Sequence, residues 1–156
     1  MTDEQVLRTL LVQQLEGGHA HIKTMDVLNK YPADIINQKL PNVSYTPWQL
    51  LEHMRIGQYD ILEFIRNPDY NSPEWPAGYW PDKDKQADTE TWQSTLTSFW
   101  VDLSEAVKIA LDPETDLFSP IPHAEDYTIL RELLLIADHN AYHLAQMVLF
   151  SKTFVK

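Results

Sequence analysis

Apolar residues recur at helical spacing in four long segments of the chain, and Pro-rich stretches separate these segments. The first segment covers about residues 3 to 29. Thr2 and Gln5 at its start resemble a capping box, Gly17-Gly18 interrupts it, and Pro32 follows its end. We therefore predict one helix here, bent at the glycine pair.

The other three segments have clear start and stop signals. The second begins at Thr46-Pro47, because threonine is a good N-cap and proline at the first helical position loses no hydrogen bond. It ends at Asn67-Pro68, since a residue before proline disfavours helical geometry. The third runs from about residue 89 to 111 and stops at Asp112-Pro113, and the fourth runs from about residue 128 to 150.

No segment alternates apolar and polar residues over strand length, so we predict no sheet. Four helices in a chain of 156 residues favour an all-α fold, an antiparallel four-helix bundle that forms a single domain over residues 1–156. The connection from residue 67 to 88 is too long for a simple turn and is rich in aromatic residues and proline. Two interpretations stay open: it folds over a bundle end or a pocket mouth, or it only covers exposed core.

Two histidines four residues apart, His139 and His143, lie in the fourth segment, where positions i and i+4 share one helix face. A third histidine, His53, lies in the second segment. If the two helices adjoin, these imidazoles form a three-histidine metal site; the alternative is a set of hydrogen-bonded core histidines. The neighbours that we expect to orient the imidazoles are Glu52, Asp138 and Asn140.

Three imidazoles without a thiolate make a particular kind of site. Imidazole suits zinc, nickel, copper and iron. Structural zinc usually has four protein ligands, whereas a three-ligand site leaves one position open for water or substrate. An ion there can lower the pKa of a bound water or hold an external thiol as its thiolate. No residue stands out as a catalytic acid or base. For His19 and His21 we expect a surface or core position, with approach to the site from the first segment as the alternative. For His123, in the loop before the fourth segment, two interpretations stay open: it reaches the metal end of the bundle, or it is solvated.

The fourth segment is apolar on two faces of its helical wheel. One arc carries Leu134, Ala137 and Ala141, and the two histidines lie roughly opposite, beside Ile136. A bundle helix needs only one core face. The arc of small residues therefore predicts close packing against another helix, with a homodimer as the hypothesis and burial within one monomer as the alternative.

Composition excludes several classes of partner. The net charge is −11, from 12 basic and 23 acidic residues, and no lysine or arginine cluster supplies the footprint that nucleic acid requires. No apolar run is long enough to span a membrane, and the first residues lack the pattern of a secretion signal. Cysteine is absent, so disulfides and thiolate ligands are excluded. We expect a cytoplasmic protein that binds neither nucleic acid nor membrane.

Several motifs taken together resemble the DinB-like family, also called DinB/YfiT-like. The matching pieces are the glycine–histidine stretch at residues 17–21, the second-segment opening at 47–53, the aromatic loop at 75–81, and two pieces of the fourth segment at 130–132 and 138–146. The resemblance covers nearly the whole chain. The joint occurrence of the second-segment histidine and the fourth-segment pair is its most specific part.

The resemblance implies a four-helix bundle of up-down-down-up topology, usually dimeric, with a divalent metal, often nickel or zinc, held by three histidines. His53, His139 and His143 match those positions. The family includes thiol-dependent S-transferases and maleylpyruvate isomerases. We therefore expect a metal-dependent S-transferase or isomerase that uses a low-molecular-weight thiol. The alternatives are a non-catalytic, dimeric, metal-stabilised bundle that binds a ligand or partner, and a metal-assisted hydrolase.

Overall fold

A computed structural model describes residues 1–154, and four long helices dominate this part of the chain. The α-helices are α1 (Asp3–Glu16), α2 (Thr24–Leu28), α3 (Pro47–Arg66), α4 (Thr89–Leu111) and α5 (Ile129–Phe154). Single 3₁₀ turns lie at Ala33–Ile35 and Ala77–Tyr79. Within the described residues, no helix combines the length and the apolar character needed to cross a membrane.

The long helices pack side by side around one apolar core. Helix α1 packs against α4 and α5, and α3 packs against the same two helices. The largest fully buried side chains include Trp48, Phe99 and Phe150, one from each of α3, α4 and α5. The contact between α3 and α5 places the second-segment histidine next to the pair on the last helix.

The predicted helix starts are confirmed at α1 and α3. Thr2 accepts a hydrogen bond from the backbone N–H of Gln5, whose side chain accepts from the N–H of Thr2. Thr46 and Gln49 make the same reciprocal pair at the start of α3. Each box satisfies N–H groups that have no partner inside the helix. The predicted range of α4 is also confirmed, and α5 extends one turn beyond the prediction.

The prediction of one bent helix over residues 3 to 29 is wrong. Helix α1 ends at Glu16, because Gly17 and Gly18 take positive φ angles of 72° and 98° that a right-handed helix does not contain. Residues 24–28 form the separate short helix α2. The glycine pair therefore ends a helix instead of bending it.

The prediction that the chain has no sheet is also wrong. Strands β1 (Pro120–Ile121) and β2 (Ala124–Thr128) form a small antiparallel hairpin just before α5. The β1 strand has only two residues and the pairing is irregular. A period of two cannot be recognised over so short a stretch.

The two predicted faces of α5 are the two flanks of one broad buried face. Ala137 is buried within the same molecule, as are Leu144 and Met147, and His143 lies at the other flank. Leu134, which the wheel places beside Ala137, is instead 46% exposed. Burial within one monomer therefore accounts for Ala137. The outward side of α5 carries exposed apolar residues, namely Leu134, Leu135, Tyr142 and Leu149.

Candidate metal centre

Helices α3 and α5 bring three imidazoles together. The Nε2 atom of His53 lies 3.1 Å from Nε2 of His143 and 3.1 Å from Nε2 of His139. The potential ligand atoms of the three residues all lie within 4.8 Å of one another. These are the three residues that the sequence places on one candidate site, and the structure shows that they are close enough to hold a metal ion.

The spacing of the nitrogen atoms fits a small divalent ion. Nitrogen ligands about 2.0–2.1 Å from zinc at tetrahedral angles are about 3.3 Å from each other. The two measured separations of 3.1 Å are within a few tenths of an ångström of that geometry. Among residues 1–154, no carboxylate joins the cluster. Among the described residues, a tetrahedral ion held here would therefore have one position without a histidine, cysteine or carboxylate ligand.

Carbonyl oxygens fix the proton positions on two of the rings. His53 Nδ1–H donates to the backbone carbonyl of Tyr79 over 2.9 Å, and His143 Nδ1–H donates to Oε1 of Gln146 over 3.2 Å. A carbonyl oxygen only accepts, so each Nδ1 carries the ring proton and each Nε2 has a bare lone pair. The two facing lone pairs repel each other unless a cation lies between them. The chemistry of the pair thus favours a metal over a plain hydrogen bond.

The aromatic loop between α3 and α4 covers the first histidine. The ring of Trp80 stacks on the ring of His53, with 3.9 Å between centroids and 2° between planes. The ring of Tyr45 lies against the same indole, with 5.1 Å between centroids. Only 5% of His53 and 8% of His143 is exposed to solvent. The loop therefore lies over the cluster itself, which favours the first of the two interpretations of its role.

A glycine on α3 makes room for His139. A Cβ atom added to Gly57 would lie 3.1 Å from Cε1 of that ring, tighter than an ordinary contact. Gly57 stands one turn after His53 on the same helix. The absence of a side chain at this position lets the two histidines approach from facing helices.

The environment keeps the three rings neutral. Burial, with smaller contributions from the neighbouring His143 and His53, lowers the pKa of His139 from its usual 6.5 to about 3. Burial likewise lowers the pKa of His143 to about 4, against the hydrogen bond to Gln146, which raises it. The pKa of His53 is lowered too, chiefly by burial. Neutral imidazole is the form that binds metal, so protons compete weakly at neutral pH.

The predicted orienting groups make no hydrogen bond to the rings. Glu52 forms an ion pair with Arg55, Asp138 is exposed, and Asn140 donates to Gln58. The groups that do hold the rings are the Tyr79 carbonyl and the Gln146 amide. Gln146 was detectable from its place three residues after His143 on one helix face, whereas a backbone carbonyl leaves no mark in a sequence.

The other histidines lie outside the cluster. His19 and His21 are exposed in the turn after α1. His123 is exposed in the hairpin, where its Nε2 lies 2.7 Å from the carbonyl oxygen of Phe64. The expected surface position of His19 and His21 therefore agrees with the structure, as does the solvated interpretation of His123.

Comparisons with known proteins give no further guide: no family model, no curated protein and no solved structure matches this chain.

Proposed function

We propose that this protein binds one divalent metal ion, nickel or zinc, through His53, His139 and His143. The observation that carries the proposal is the convergence of three Nε2 atoms, with two separations of 3.1 Å. The Nδ1 protons of two rings are already committed to carbonyl oxygens, so the inward nitrogens present lone pairs. A cation between these inward lone pairs would satisfy them, and this supports the proposal.

Elemental analysis tests the proposal directly. Protein produced with zinc and nickel in the medium should contain about one divalent ion per chain. His143→Ala should lose it, because two imidazoles hold an ion less well than three. His123→Ala, which removes an exposed histidine outside the cluster, is the matched control and should keep the ion. The proposal fails if metal-replete wild-type protein contains no stoichiometric divalent metal at neutral pH.

We further propose that the site belongs to a metal-dependent S-transferase or isomerase that uses a low-molecular-weight thiol. The support is the three-ligand set, to which no cysteine, carboxylate or further histidine of the described residues adds a fourth ligand. A metal ion at such a site would stabilise an external thiol in its thiolate form, which is the nucleophile. The three histidines would act as ligands, and no residue is assigned as a general base.

A thiol-conjugation assay tests the catalytic proposal. Metal-loaded protein is mixed with a panel of low-molecular-weight thiols and a chromogenic aryl halide, and conjugation is followed by absorbance. The expected result is a rate above that of the His143→Ala protein. A fully metal-loaded protein that accelerates conjugation with none of the thiols argues against this activity.

The burial of the site supports a second candidate, a non-catalytic bundle stabilised by its metal. The stacked Trp80 and the low exposure of His53 restrict the approach of a substrate. Cobalt substitution separates the two candidates. A thiol that changes the visible spectrum of the cobalt protein has reached an open coordination position, as catalysis requires. A spectrum that every thiol leaves unchanged favours the non-catalytic role.

The arrangement of the helices and the oligomeric state are proposals of the same kind. We propose the up-down-down-up order of the DinB-like family for the four long helices, since the three histidines occupy the positions that the resemblance implies. We also propose a homodimer through the outward side of α5, where 64% of Tyr142 and 56% of Leu149 is exposed. Sedimentation equilibrium should give twice the chain mass, and Leu149→Lys should give the monomer.

A further inference from the structure

A tyrosine stands behind each of the two carbonyl oxygens that hold the rings. Gln146 Oε1, which accepts from His143, also accepts from the hydroxyl of Tyr45 over 2.8 Å. Tyr79, whose carbonyl accepts from His53, donates its own hydroxyl to Oδ2 of Asp60 over 2.7 Å. Each tyrosine therefore acts on a histidine through one intervening group and contacts no inward nitrogen.

We infer that Tyr45 and Tyr79 are positioning residues that set the protonated nitrogen of His143 and His53, and so set the affinity of the cluster for a divalent cation. The inference rests on the proposed metal-binding function. The hydroxyl of Tyr45 holds Gln146 Oε1 towards His143, and the hydroxyl of Tyr79 anchors the segment whose own carbonyl accepts from His53. Each oxygen selects the ring nitrogen that carries the proton, and the other nitrogen is left free for the ion.

The case for Tyr45 follows from the geometry of an amide. As Gln146 stands, one oxygen satisfies two donors, Tyr45 O–H and His143 Nδ1–H. With the amide rotated, its NH₂ group would face Nδ1 of His143, and Nδ1 would have to accept. The ring proton would then move to Nε2, the atom that lies 3.1 Å from His53. A proton there would exclude a metal ion. In this state the Tyr45 oxygen could only accept from the NH₂ group and the hydroxyl hydrogen would lose its acceptor, so a donating Tyr45 favours the orientation that holds the Nδ1 proton.

The case for Tyr79 follows from its two attachments to α3. Its backbone is bonded to His53 and its side chain to Asp60, two turns further along the same helix. The hydroxyl stays protonated near neutrality, because burial first and the bond to Asp60 second raise its pKa to about 12. Loss of this bond frees the segment that carries both the carbonyl and the stacked Trp80.

Tyr45→Phe and Tyr79→Phe remove one oxygen atom each and test the inference. Zinc affinity is measured by competition with a chromophoric chelator. Both variants should bind zinc about 10-fold or more weakly than the wild type, the usual cost of losing an outer partner of a ligand. The matched control is Tyr127→Phe, whose hydroxyl takes no part in these contacts, and it should bind as the wild type does. Unchanged zinc affinity in both variants overturns the inference.

The ring nitrogen that carries the proton of His143 gives a second test, because a tyrosine with only a structural role would leave that proton in place. Imidazole ¹⁵N shifts of metal-free protein at neutral pH should place the proton of His143 on Nδ1 in the wild type and move a substantial part of it to Nε2 in Tyr45→Phe. Adding Gln146→Glu to that variant should restore the Nδ1 proton, since both carboxylate oxygens can only accept. A wild-type proton on Nε2, or an unchanged distribution in Tyr45→Phe, overturns the inference.

These measurements separate the inference from the function on which it rests. If wild-type protein binds no zinc, the proposed function fails, while the ¹⁵N shifts of the metal-free protein still decide whether the tyrosines set the proton positions. If the wild type binds zinc and the tyrosine variants bind it equally well, the function stands and the positioning role fails.

Discussion

At the scale of single residues, a substitution at Gly57 should affect helix stability and metal affinity in opposite directions. Gly57→Ala should raise the stability of the metal-free protein by up to about 1 kcal/mol, because alanine is the better helix former. The same change should weaken metal binding, since the new Cβ would lie 3.1 Å from Cε1 of His139 and push the ring by a few tenths of an ångström. Urea unfolding and a zinc titration measure the two effects. A change of both quantities in the same direction contradicts the prediction.

The buried histidines also predict how the metal-free protein responds to acid. Folding lowers the pKa of His139 to about 3 and that of His143 to about 4, whereas the unfolded chain keeps values near 6.5. Between these limits the unfolded chain binds protons that the folded chain does not, so stability falls as the pH falls from about 6.5 towards 4.

The expected loss of unfolding free energy between pH 7 and pH 5 is on the order of 4 kcal/mol, about 2 kcal/mol for each of the two histidines. Urea unfolding in the presence of a chelator measures it. His139→Gln combined with His143→Gln should reduce the loss, because the amide does not titrate. The exposed His19→Gln is the control and should leave the loss unchanged. An equal loss in the double variant would show that other groups cause the acid response.

The candidate ligands were predictable from the sequence, but the groups around them were only partly so. The spacing of His139 and His143 follows from helix geometry alone, whereas the approach of His53 needed the further assumption that the two helices adjoin. The stacking of Trp80 and the bonds of Tyr45 and Tyr79 depend on how two loops cross α3 and α5. No local pattern encodes such a crossing.

At the scale of elements, the two capping boxes offer a matched comparison. Thr46 is 2% exposed and starts the helix that carries His53, while Thr2 is exposed at the start of α1. Thr46→Ala should cost about 1–2 kcal/mol of unfolding free energy, at the upper end for caps because the freed N–H groups stay buried. Thr2→Ala should cost less, since water can replace the lost bond. Urea unfolding of both variants gives the comparison, and equal costs would contradict it.

Helix ends that a capping residue or a proline marks were predicted well, and elements that depend on distant contacts were not. Threonine, proline and aspartate mark the ends of α3 and α4 to the residue. The glycine pair was recognised as a disruption, but the sequence did not reveal that the chain would take positive φ there and end α1. The hairpin before α5 consists of too few residues to leave a periodic pattern.

At the scale of the whole molecule, metal binding should appear as thermal stability. An ion that binds only the folded chain adds about 2.7 kcal/mol when its free concentration is a hundred times Kd, which corresponds to a rise in Tm of about 5–10 °C for a chain of this size. Calorimetry with zinc and then with a chelator measures the rise and its reversal. His143→Ala should show almost no rise. A rise of equal size in that variant would locate the binding elsewhere.

The indole of Trp80 lies 3.9 Å from the ring of His53, so its fluorescence should depend on the protonation and metal occupancy of the site. An imidazole stacked on an indole at this distance quenches its emission more strongly once the imidazole is protonated, and a paramagnetic ion bound to that imidazole quenches it strongly as well. Occupancy by nickel or cobalt is therefore readable as a loss of tryptophan fluorescence without any added label. The signal would vanish in Trp80→Phe, while the other four tryptophans would remain as an internal reference for the total emission.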